Sequence, residues 1–472
     1  MAVEGASVEA QRFQSVTALP GDMPRPIVVT MIGAGSGFTN SILKDVALIP
    51  GNRGGELRLV DIDPDRLALA EALMRKIAGE VRRFGGSEVP GFGEWTIRAS
   101  TDREELLPGT DYIVNSIEVS GLECVRADND IPLEYGVSQC IGDTIGPGGL
   151  FKGLRTIPAW IEILRGCERL CPNALVLNYT NPMNMMVLAA SRASSMRVVG
   201  LCHSVQGTSR MLARFAGVEY ERMRWKCAGI NHLAWFTELR GPDGEDLYPA
   251  LMSQARDPES DLARKEPVRS DVMLHFGAFV TESSGHLSEY LPYYRKRPDL
   301  RQKHLIDGYG GQESFYADNW PDWRKKNDEW RKRLLAGEEP IELERSLEYG
   351  AWIIEAAEKN SPIVIHGNVA PNDGLIPNLM SDGCVEVACA VDRDGIRPTR
   401  FGRLPNQMAA VCESNMRMFD LAVDAALNRS KEAAALALML DPLSAAVCSP
   451  AEIREMTMRM FEAEAEHLKG YS

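Results

Sequence analysis

The amino-acid sequence predicts an α/β fold, in which a doubly wound parallel sheet is followed by a mixed α+β part. A continuous apolar run at Ile27–Ile32 ends in glycine, which is typical of a strand buried inside a parallel sheet. Strand-like runs then alternate with helical patterns up to about residue 205, as in a parallel sheet with right-handed crossovers. At 472 residues the chain is too long for a single small core, so we expect two parts.

The predicted elements change in character along the chain. Before residue 205 we predict strands at 27–32, 56–60, 112–117, 174–177 and 197–201, with helices at 40–48, 65–83 and 160–171. Beyond it, strands at 225–230 and 233–239 precede long helical patterns at 341–358 and 404–428. Residues 1–24, rich in small residues, are expected to form a loose N-terminal extension.

Composition excludes several classes of function. A formal net charge of −14 disfavours binding to nucleic acids and to anionic membranes. No run of about 18 apolar residues predicts a membrane span, and the N-terminus lacks the pattern of a secretory signal. The ten cysteines include no C-x-x-C pair, which argues against a zinc ribbon. We therefore expect a cytoplasmic protein with reduced thiols.

A glycine-rich turn follows the first predicted strand and opens a predicted helix. It reads Gly33-Ala34-Gly35-Ser36-Gly37-Phe38, so Phe38 stands where the usual G-x-G-x-x-G motif has its last glycine. Such a turn lets backbone N–H groups approach a pyrophosphate, which also benefits from the positive end of the helix dipole. The alternative is a glycine turn that only packs a helix on the sheet.

An acidic residue supports the dinucleotide interpretation. Asp61, with Asp63 as its neighbour, ends the next predicted strand, where a carboxylate binds a ribose hydroxyl and repels the 2′-phosphate of NADP. The sequence therefore predicts NAD bound by Gly33, Gly35, Ser36, Phe38 and Asp61. Residues 25–205 are then a Rossmann-type NAD-binding domain, and 206–472 a mixed α+β domain for substrate binding and oligomerisation.

A thiol and an imidazole lie next to predicted strands of the two parts. Cys202 and His203 follow the strand at 197–201, and His232 interrupts an apolar stretch. A thiolate and a neutral imidazole can share one divalent ion while leaving positions open for substrate oxygens. From spacing alone, Cys202 could equally be a core thiol and His232 a hydrogen-bonded core residue.

Amides and tyrosines form two further groups. Asn178 and Asn181 follow the strand at 174–177, where they could face a nicotinamide or a sugar hydroxyl, or simply cap a proline-defined turn. Tyr290 and Tyr293 lie in a short aromatic segment that ends in Arg295. A tyrosine near a metal and an arginine could act as a base, although both tyrosines could also be packing residues.

Taken together, these segments resemble family 4 of the glycoside hydrolases, which depend on NAD and manganese. The resemblance covers nearly the whole chain from about residue 26, and the motifs look most like those of the bacterial α-galactosidases of the family. It depends on IGAGS at 32–36, DTIGPGG at 143–149, NYTNPMN at 178–184, GLCHSVQGT at 200–208, CAGINHLAW at 227–235, FVTESSGHLSEY at 279–290, GNVAPNDGLI at 367–376 and CVEVACAVD at 384–392.

The resemblance implies a redox-assisted hydrolysis. In that mechanism NAD accepts hydride from C3 of the sugar, and a metal polarises the C3 oxygen. A base then removes the C2 proton, the glycosidic oxygen leaves by elimination, water adds, and NADH returns the hydride. By resemblance, Cys202 and His232 hold Mn²⁺ and Tyr290 is the base, with Tyr293 as the fallback. Asn181 contacts sugar hydroxyls, and His203 assists the leaving group.

The substrate class follows from the same motifs. Cys-His-Ser-Val at 202–205 looks like the α-galactosidase pattern, so the expected activity is hydrolysis of terminal α-galactosides. An α-glucuronide or an α-galacturonide stays open, because Arg295, Arg155 or another arginine could hold a carboxylate. An α-glucoside is a further alternative. A dehydrogenase of the lactate/malate type is the alternative outside the family. Family members are usually homo-oligomers, so we expect a homodimer or homotetramer.

Overall fold

The computed structural model describes residues 18–88 and 92–472, apart from the side chains of 84–88. Most of the expected N-terminal extension, residues 1–17, lies outside the described residues. Its last residues are packed rather than loose, because Leu19 and Met23 are buried. The Leu19 N–H also donates to the buried carboxylate of Glu355 at 2.9 Å, which attaches this segment to a helix of the second part.

One sheet contains all twelve strands of the described residues. The strands are β1 (Ile27–Ile32), β2 (Gly55–Val60), β3 (Trp95–Ser100), β4 (Tyr112–Asn115), β5 (Leu175–Asn178), β6 (Arg197–Gly200), β7 (Arg224–Ile230), β8 (Leu233–Arg240), β9 (Phe279–Val280), β10 (Ile363–Val369), β11 (Val385–Asp392) and β12 (Gly395–Pro398).

Helices cover this sheet. Among the described residues they are α1 (Phe38–Ala47), α2 (Pro64–Glu88), α3 (Arg103–Leu106), α4 (Leu122–Glu134), α5 (Gly146–Leu170), α6 (Met183–Ala193), α7 (Ser204–Ala216), α8 (Tyr248–Arg256), α9 (Asp261–Lys265), α10 (Pro267–Phe276), α11 (Ser284–Leu287), α12 (Pro298–His304), α13 (Phe315–Ala336), α14 (Tyr349–Lys359), α15 (Asn406–Asn428), α16 (Lys431–Leu440), α17 (Pro442–Val447) and α18 (Pro450–Ala463). No described helix is long and apolar enough to cross a membrane.

The first six strands are parallel, in the order β3-β2-β1-β4-β5-β6. This is the Rossmann order 3-2-1-4-5-6, which confirms the predicted fold class. Ligands of such sheets bind at the carboxyl ends of the strands, where the strand order reverses. The reversal lies between β1 and β4, and the glycine turn follows β1 directly.

The strands of the second part extend the same sheet. β10 pairs antiparallel with β6, and β11, β7, β8 and β9 follow in spatial order. The buried apolar residues on both sides of residue 205 belong to one connected core. The division of the chain near residue 205 into two domains stays a prediction.

One strand is missing from the prediction, and two helices begin far from their predicted starts. β3 is the missing strand, and only Trp95 and Ile97 of its six residues are buried. α5 begins at Gly146 rather than at 160, because its glycine-rich first turns pack closely although their composition is typical of a loop. α14 begins at Tyr349 rather than at 341, since the preceding segment is anchored by Ser346, whose N–H and hydroxyl donate to Asp45.

Candidate active site

The glycine turn contacts the carboxyl end of β2 and the residue that follows β4. The N–H groups of Gly33 and Ala34 donate to the carbonyl oxygen of Val60 at 2.9 and 3.0 Å. Gly33 has a φ of +82°, and a Cβ at this position would lie 2.4 Å from the carbonyl oxygen of Ser116. A side chain is therefore excluded twice, by backbone conformation and by space.

The surroundings of the turn fit a dinucleotide. Asp61 accepts the Gly35 N–H on Oδ2 at 2.6 Å, which places its carboxylate beside the turn. The Ser36 hydroxyl accepts from that of Ser116 at 2.9 Å. Helix α1 begins directly after Gly37, so the N–H groups of its first turn face the position where a phosphate binds a Rossmann fold. Phe38 is partly exposed, at 39%.

The predicted metal ligands come together beyond the ends of strands β6 and β7. Cys202 follows β6, and His232 lies in the turn between β7 and β8 with a φ of +64°. The Sγ atom of Cys202 is 3.4 Å from Nε2 of His232. Glu282, two residues beyond β9, brings its Oε2 within 3.4 Å of the same nitrogen. The ligand atoms of these three residues lie within 4.8 Å of one another, and we name this group the metal cluster.

The charges of the metal cluster support one another. Burial alone would raise the pKa of the Cys202 thiol, but the charge and hydrogen bond of His232 outweigh it and lower that pKa to about 7. Burial disfavours the His232 imidazolium, yet the negative charges of Glu282 and Cys202 raise its pKa to about 10. The pKa of Glu282 falls despite its burial, because His232 and His286 are close. A thiolate and a carboxylate around an imidazole form a donor set that suits a divalent ion.

Tyr290 lies against the metal cluster and Tyr293 does not. The Tyr290 ring is buried, with its centroid 6.1 Å from that of His232 and 6.0 Å from that of His286. Tyr293 is 41% exposed and contacts Phe276. Burial raises the pKa of Tyr290 well above its ordinary value, against a hydrogen bond with Thr144 that lowers it.

Thr144 connects Tyr290 to a further histidine. Its hydroxyl shares a hydrogen bond of 2.8 Å with Nε2 of His286. His286 is buried, and its Nδ1 lies 3.7 Å from Oε1 of Glu282. A continuous row of polar groups therefore runs from the Tyr290 hydroxyl to the carboxylate of the metal cluster.

Asn181 faces a buried charged group. Its Nδ2 donates to Oδ2 of Asp143 at 3.1 Å. Lys152 lies 3.5 Å from the same oxygen and 3.3 Å from Glu118. Burial opposes ionisation of Asp143, but the Lys152 ammonium and His286 lower its pKa. The other oxygen of Asp143 is buried without a hydrogen-bond partner among the described residues, so it can accept a hydrogen bond from a ligand hydroxyl.

His203 lies at the rim of the site. Its side chain is half exposed, and its Nε2 shares a short hydrogen bond with Glu348. That hydrogen bond raises the pKa of His203 to about 9, although burial of the ring opposes it. The ring also stacks near Phe38, at a centroid distance of 6.2 Å. His203 therefore lies between Phe38 of the glycine turn and Cys202, its neighbour in the chain.

Asn178 lies beneath the site. Its side chain is fully buried, where it accepts from Asn115 at 2.8 Å and donates to the Thr180 carbonyl at 3.0 Å. These contacts shape the loop that presents Asn181. A direct contact of Asn178 with NAD stays a prediction, and this geometry favours a supporting role.

Neither arginine that was considered for a substrate carboxylate is free to bind one. Arg155 is buried between Asp128, at 2.8 Å, and Glu464. Arg295 is buried and donates to Ser288 at 2.9 Å and to the Ser138 carbonyl at 2.6 Å. Both guanidinium groups serve internal contacts, which corrects that expectation.

Sequence reasoning did not single out five polar residues of the site. They are Glu282, His286, Asp143, Lys152 and Glu348. The first three stand inside motifs that the sequence does show, DTIGPGG and FVTESSGHLSEY. Lys152 and Glu348 had no such signal, because a lysine within a helix and a glutamate before one are ordinary on solvated surfaces.

Comparisons with known proteins identify the family of the chain. The model of the family 4 glycosyl hydrolases matches residues 28–218, and that of their C-terminal domain matches residues 227–444. An α-galactosidase of Bacillus subtilis is 38% identical over 94% of this chain and 99% of its own. One of Rhizobium meliloti is 35% identical over 94% of this chain and 89% of its own.

A solved structure shows the same fold. It is a 6-phospho-α-glucosidase from gut microorganisms in complex with NAD and Mn²⁺, which is 24% identical, with a TM-score of 0.76 over 94% of this chain and 99% of its own. Matches to both family models and to relatives above 30% identity cover nearly all of the sequence. The chain therefore belongs to family 4 of the glycosyl hydrolases.

Proposed function

We propose that this chain hydrolyses terminal α-galactosides with the help of NAD and a divalent metal, Mn²⁺. The observation that carries the proposal is the position of Tyr290, which lies beside the Cys202–His232 pair at the end of a Rossmann sheet. The two α-galactosidase relatives support the galactoside among the family's substrates.

The residues present fit both cofactors. Gly33 to Phe38 form a turn without side chains at its closest approach, beside Asp61, and this suits NAD rather than NADP. Cys202 and His232 supply sulfur and nitrogen donors to the metal. When bound, NAD supplies a reversible hydride acceptor for C3 of the sugar and the metal supplies a Lewis acid.

The chain's own residues then bind the sugar and move its protons. Asn181, Asp143 and Lys152 offer an amide, a carboxylate and an ammonium to the ring hydroxyls. Tyr290 removes the proton from C2, and its hydrogen bond with Thr144, which continues to His286, holds the hydroxyl in place. His203, held by Glu348, donates a proton to the departing glycosidic oxygen.

The uronide alternative finds no support in the arginines considered for it. Arg155 and Arg295 are both buried and engaged within the protein. A uronate would need a cation that faces the site, and Lys152 is already flanked by Glu118 and Asp143. A neutral galactoside needs no such cation.

The test is a panel of aryl α-glycosides assayed with NAD and Mn²⁺ added or withheld. We expect hydrolysis of the galactoside above the glucoside, glucuronide and galacturonide, with no activity when either cofactor is withheld and no net NADH. Hydrolysis in heavy water should place deuterium at C2 of the released galactose. Galactose without deuterium at C2 would contradict the elimination, and a preference for a uronide would contradict the substrate class.

We also propose that the enzyme works in the cytoplasm as a homodimer or homotetramer. All ten cysteines are free, and a reducing compartment would keep Cys202 available as a ligand. Light scattering of the purified chain measures its assembly, and a monomer at all concentrations would contradict the proposed oligomer.

A further inference from the structure

Glu282 places a carboxylate beside the Cys202–His232 pair. Its Oε2 lies 3.4 Å from Nε2 of His232, the distance that also separates this nitrogen from Sγ of Cys202. Two donors on one metal ion, at bond lengths of about 2.0–2.3 Å, lie about 3.1–3.6 Å apart. Both contacts have the spacing of donors that share an ion.

The other oxygen of Glu282 is held by neighbours. Its Oε1 accepts the Tyr309 hydroxyl at 3.2 Å and lies 3.7 Å from Nδ1 of His286. Tyr309 reaches this position because Gly285 lets its backbone approach: a Cβ on Gly285 would lie 2.2 Å from the Tyr309 carbonyl oxygen. A carboxylate with one oxygen held and the other directed at the ligand group has the outer support that metal ligands usually have.

The backbone supplies an independent observation. His232 has a φ of +64° and Glu282 a φ of +72°, a region that costs a residue other than glycine about 1–3 kcal/mol. Residues held in this region concentrate at functional sites. His232 directly precedes β8, and Glu282 lies two residues after β9, the antiparallel partner of β8. Their side chains meet at the distance given above.

We propose that Glu282 is the third protein ligand of the divalent metal, which makes the site a set of thiolate, imidazole and carboxylate. This inference rests on the metal site of the proposed function. The thiolate and the carboxylate balance two positive charges. The carboxylate oxygen also selects for Mn²⁺, because carboxylates suit that ion whereas sulfur and nitrogen donors alone suit Zn²⁺.

The test measures Mn²⁺ binding without turnover. Electron paramagnetic resonance of free Mn²⁺, in titrations of the full chain with NAD present, gives the Kd. We expect Glu282→Gln to weaken Mn²⁺ binding at least about tenfold and to weaken Zn²⁺ binding less, so that the preference for Mn²⁺ falls. The matched control is Glu238→Gln, which removes the same charge from an exposed pair with Lys226 on β7 and β8 and should leave the Kd unchanged.

Two further variants, Glu282→Asp and Cys202→Ser, complete the test. Glu282→Asp serves if Glu282→Gln does not fold, because aspartate tolerates a positive φ better than glutamate. Its shorter side chain withdraws the carboxylate by one methylene, so this variant should also weaken Mn²⁺ binding. A Kd within twofold of the parent in the folded variants overturns the third ligand. If Cys202→Ser loses Mn²⁺ binding and the Glu282 variants keep it, only the third ligand is rejected. If Cys202→Ser and the Glu282 variants all keep Mn²⁺ binding, the metal site of the proposed function is rejected.

Discussion

Cys202 and His232 lie 30 positions apart in the sequence, yet Sγ of one is 3.4 Å from Nε2 of the other. Two strands that come much later in the chain, β10 and β11, lie between β6 and β7 in the sheet. The contact therefore depends on the assembly of the whole sheet. Tyr290 lies beside this pair, with its ring centroid 6.1 Å from that of His232.

Replacement of Tyr290 should separate chemistry from binding. In Tyr290→Phe we expect kcat to fall about 10²–10⁴-fold, the usual contribution of a positioned base, while NAD and Mn²⁺ affinities stay unchanged. The rate at which deuterium enters C2 of the galactose should fall by the same factor. Tyr293→Phe is the matched control, because Tyr293 is exposed and lies away from the metal cluster. Equal losses in both variants would show that Tyr290 is not the base.

A side chain at Gly33 should block the dinucleotide. Gly33→Ala forces a positive φ on alanine and places its Cβ 2.4 Å from the Ser116 carbonyl oxygen, so the turn must shift. We expect NAD binding, measured by calorimetry, to weaken at least about tenfold, since the backbone must approach the pyrophosphate closely. Gly79→Ala is the control, because a Cβ there meets nothing within 4 Å and alanine favours helix by about 1 kcal/mol. Unchanged NAD affinity in Gly33→Ala would contradict this position of the cofactor.

Arg155 should prove structural. Arg155→Gln leaves Asp128 and Glu464 buried without their cation, and we expect urea unfolding to show a loss of about 3–5 kcal/mol. Arg169→Gln removes an exposed pair with Glu104 from the same helix and should cost less than about 1 kcal/mol. The ratio of galactoside to galacturonide hydrolysis should not change in either variant. A selective loss of uronide hydrolysis in Arg155→Gln would place this arginine at the substrate instead.

His366 should make the fold sensitive to acid. It is buried on β10 beside Trp225, at a centroid distance of 4.9 Å, and burial lowers its pKa to about 4. The unfolded chain, in which the histidine has its ordinary pKa near 6.5, binds the proton first as pH falls. The stabilisation that comes from the neutral His366 ring is complete above about pH 6.5 and is lost as pH falls towards 4.

Urea unfolding at pH 7 and pH 5 measures this effect. We expect His366 to account for roughly 2 kcal/mol of the difference between the two pH values, and His366→Gln should reduce the difference by that amount. The control, His275→Gln, replaces an exposed histidine and should leave the difference unchanged. An equal pH dependence in parent and His366→Gln would show that folding does not lower the pKa of His366.

Local patterns located the residues at the strand ends of the first part, although they missed β3 and the first turns of α5. β1 begins and ends where its apolar run does, and the glycine turn, Asp61 and Cys202 each follow a strand as predicted. Parallel strands bring such residues to one edge of the sheet by geometry alone, because every strand of the unit runs in the same direction. These positions could be derived without long-range information.

By itself the sequence determined the doubly wound unit, the nucleotide turn at Gly33 and the types of residue that could carry chemistry. Only the tertiary structure decided that Glu282 joins Cys202 and His232, that Tyr290 rather than Tyr293 lies beside them, and that Arg155 and Arg295 serve the interior. The physical reason is the antiparallel extension of the sheet. It pairs β6 with β10 and β11 with β7, strands separated by more than 150 residues, and such pairings are set by burial of the assembled faces rather than by any local pattern.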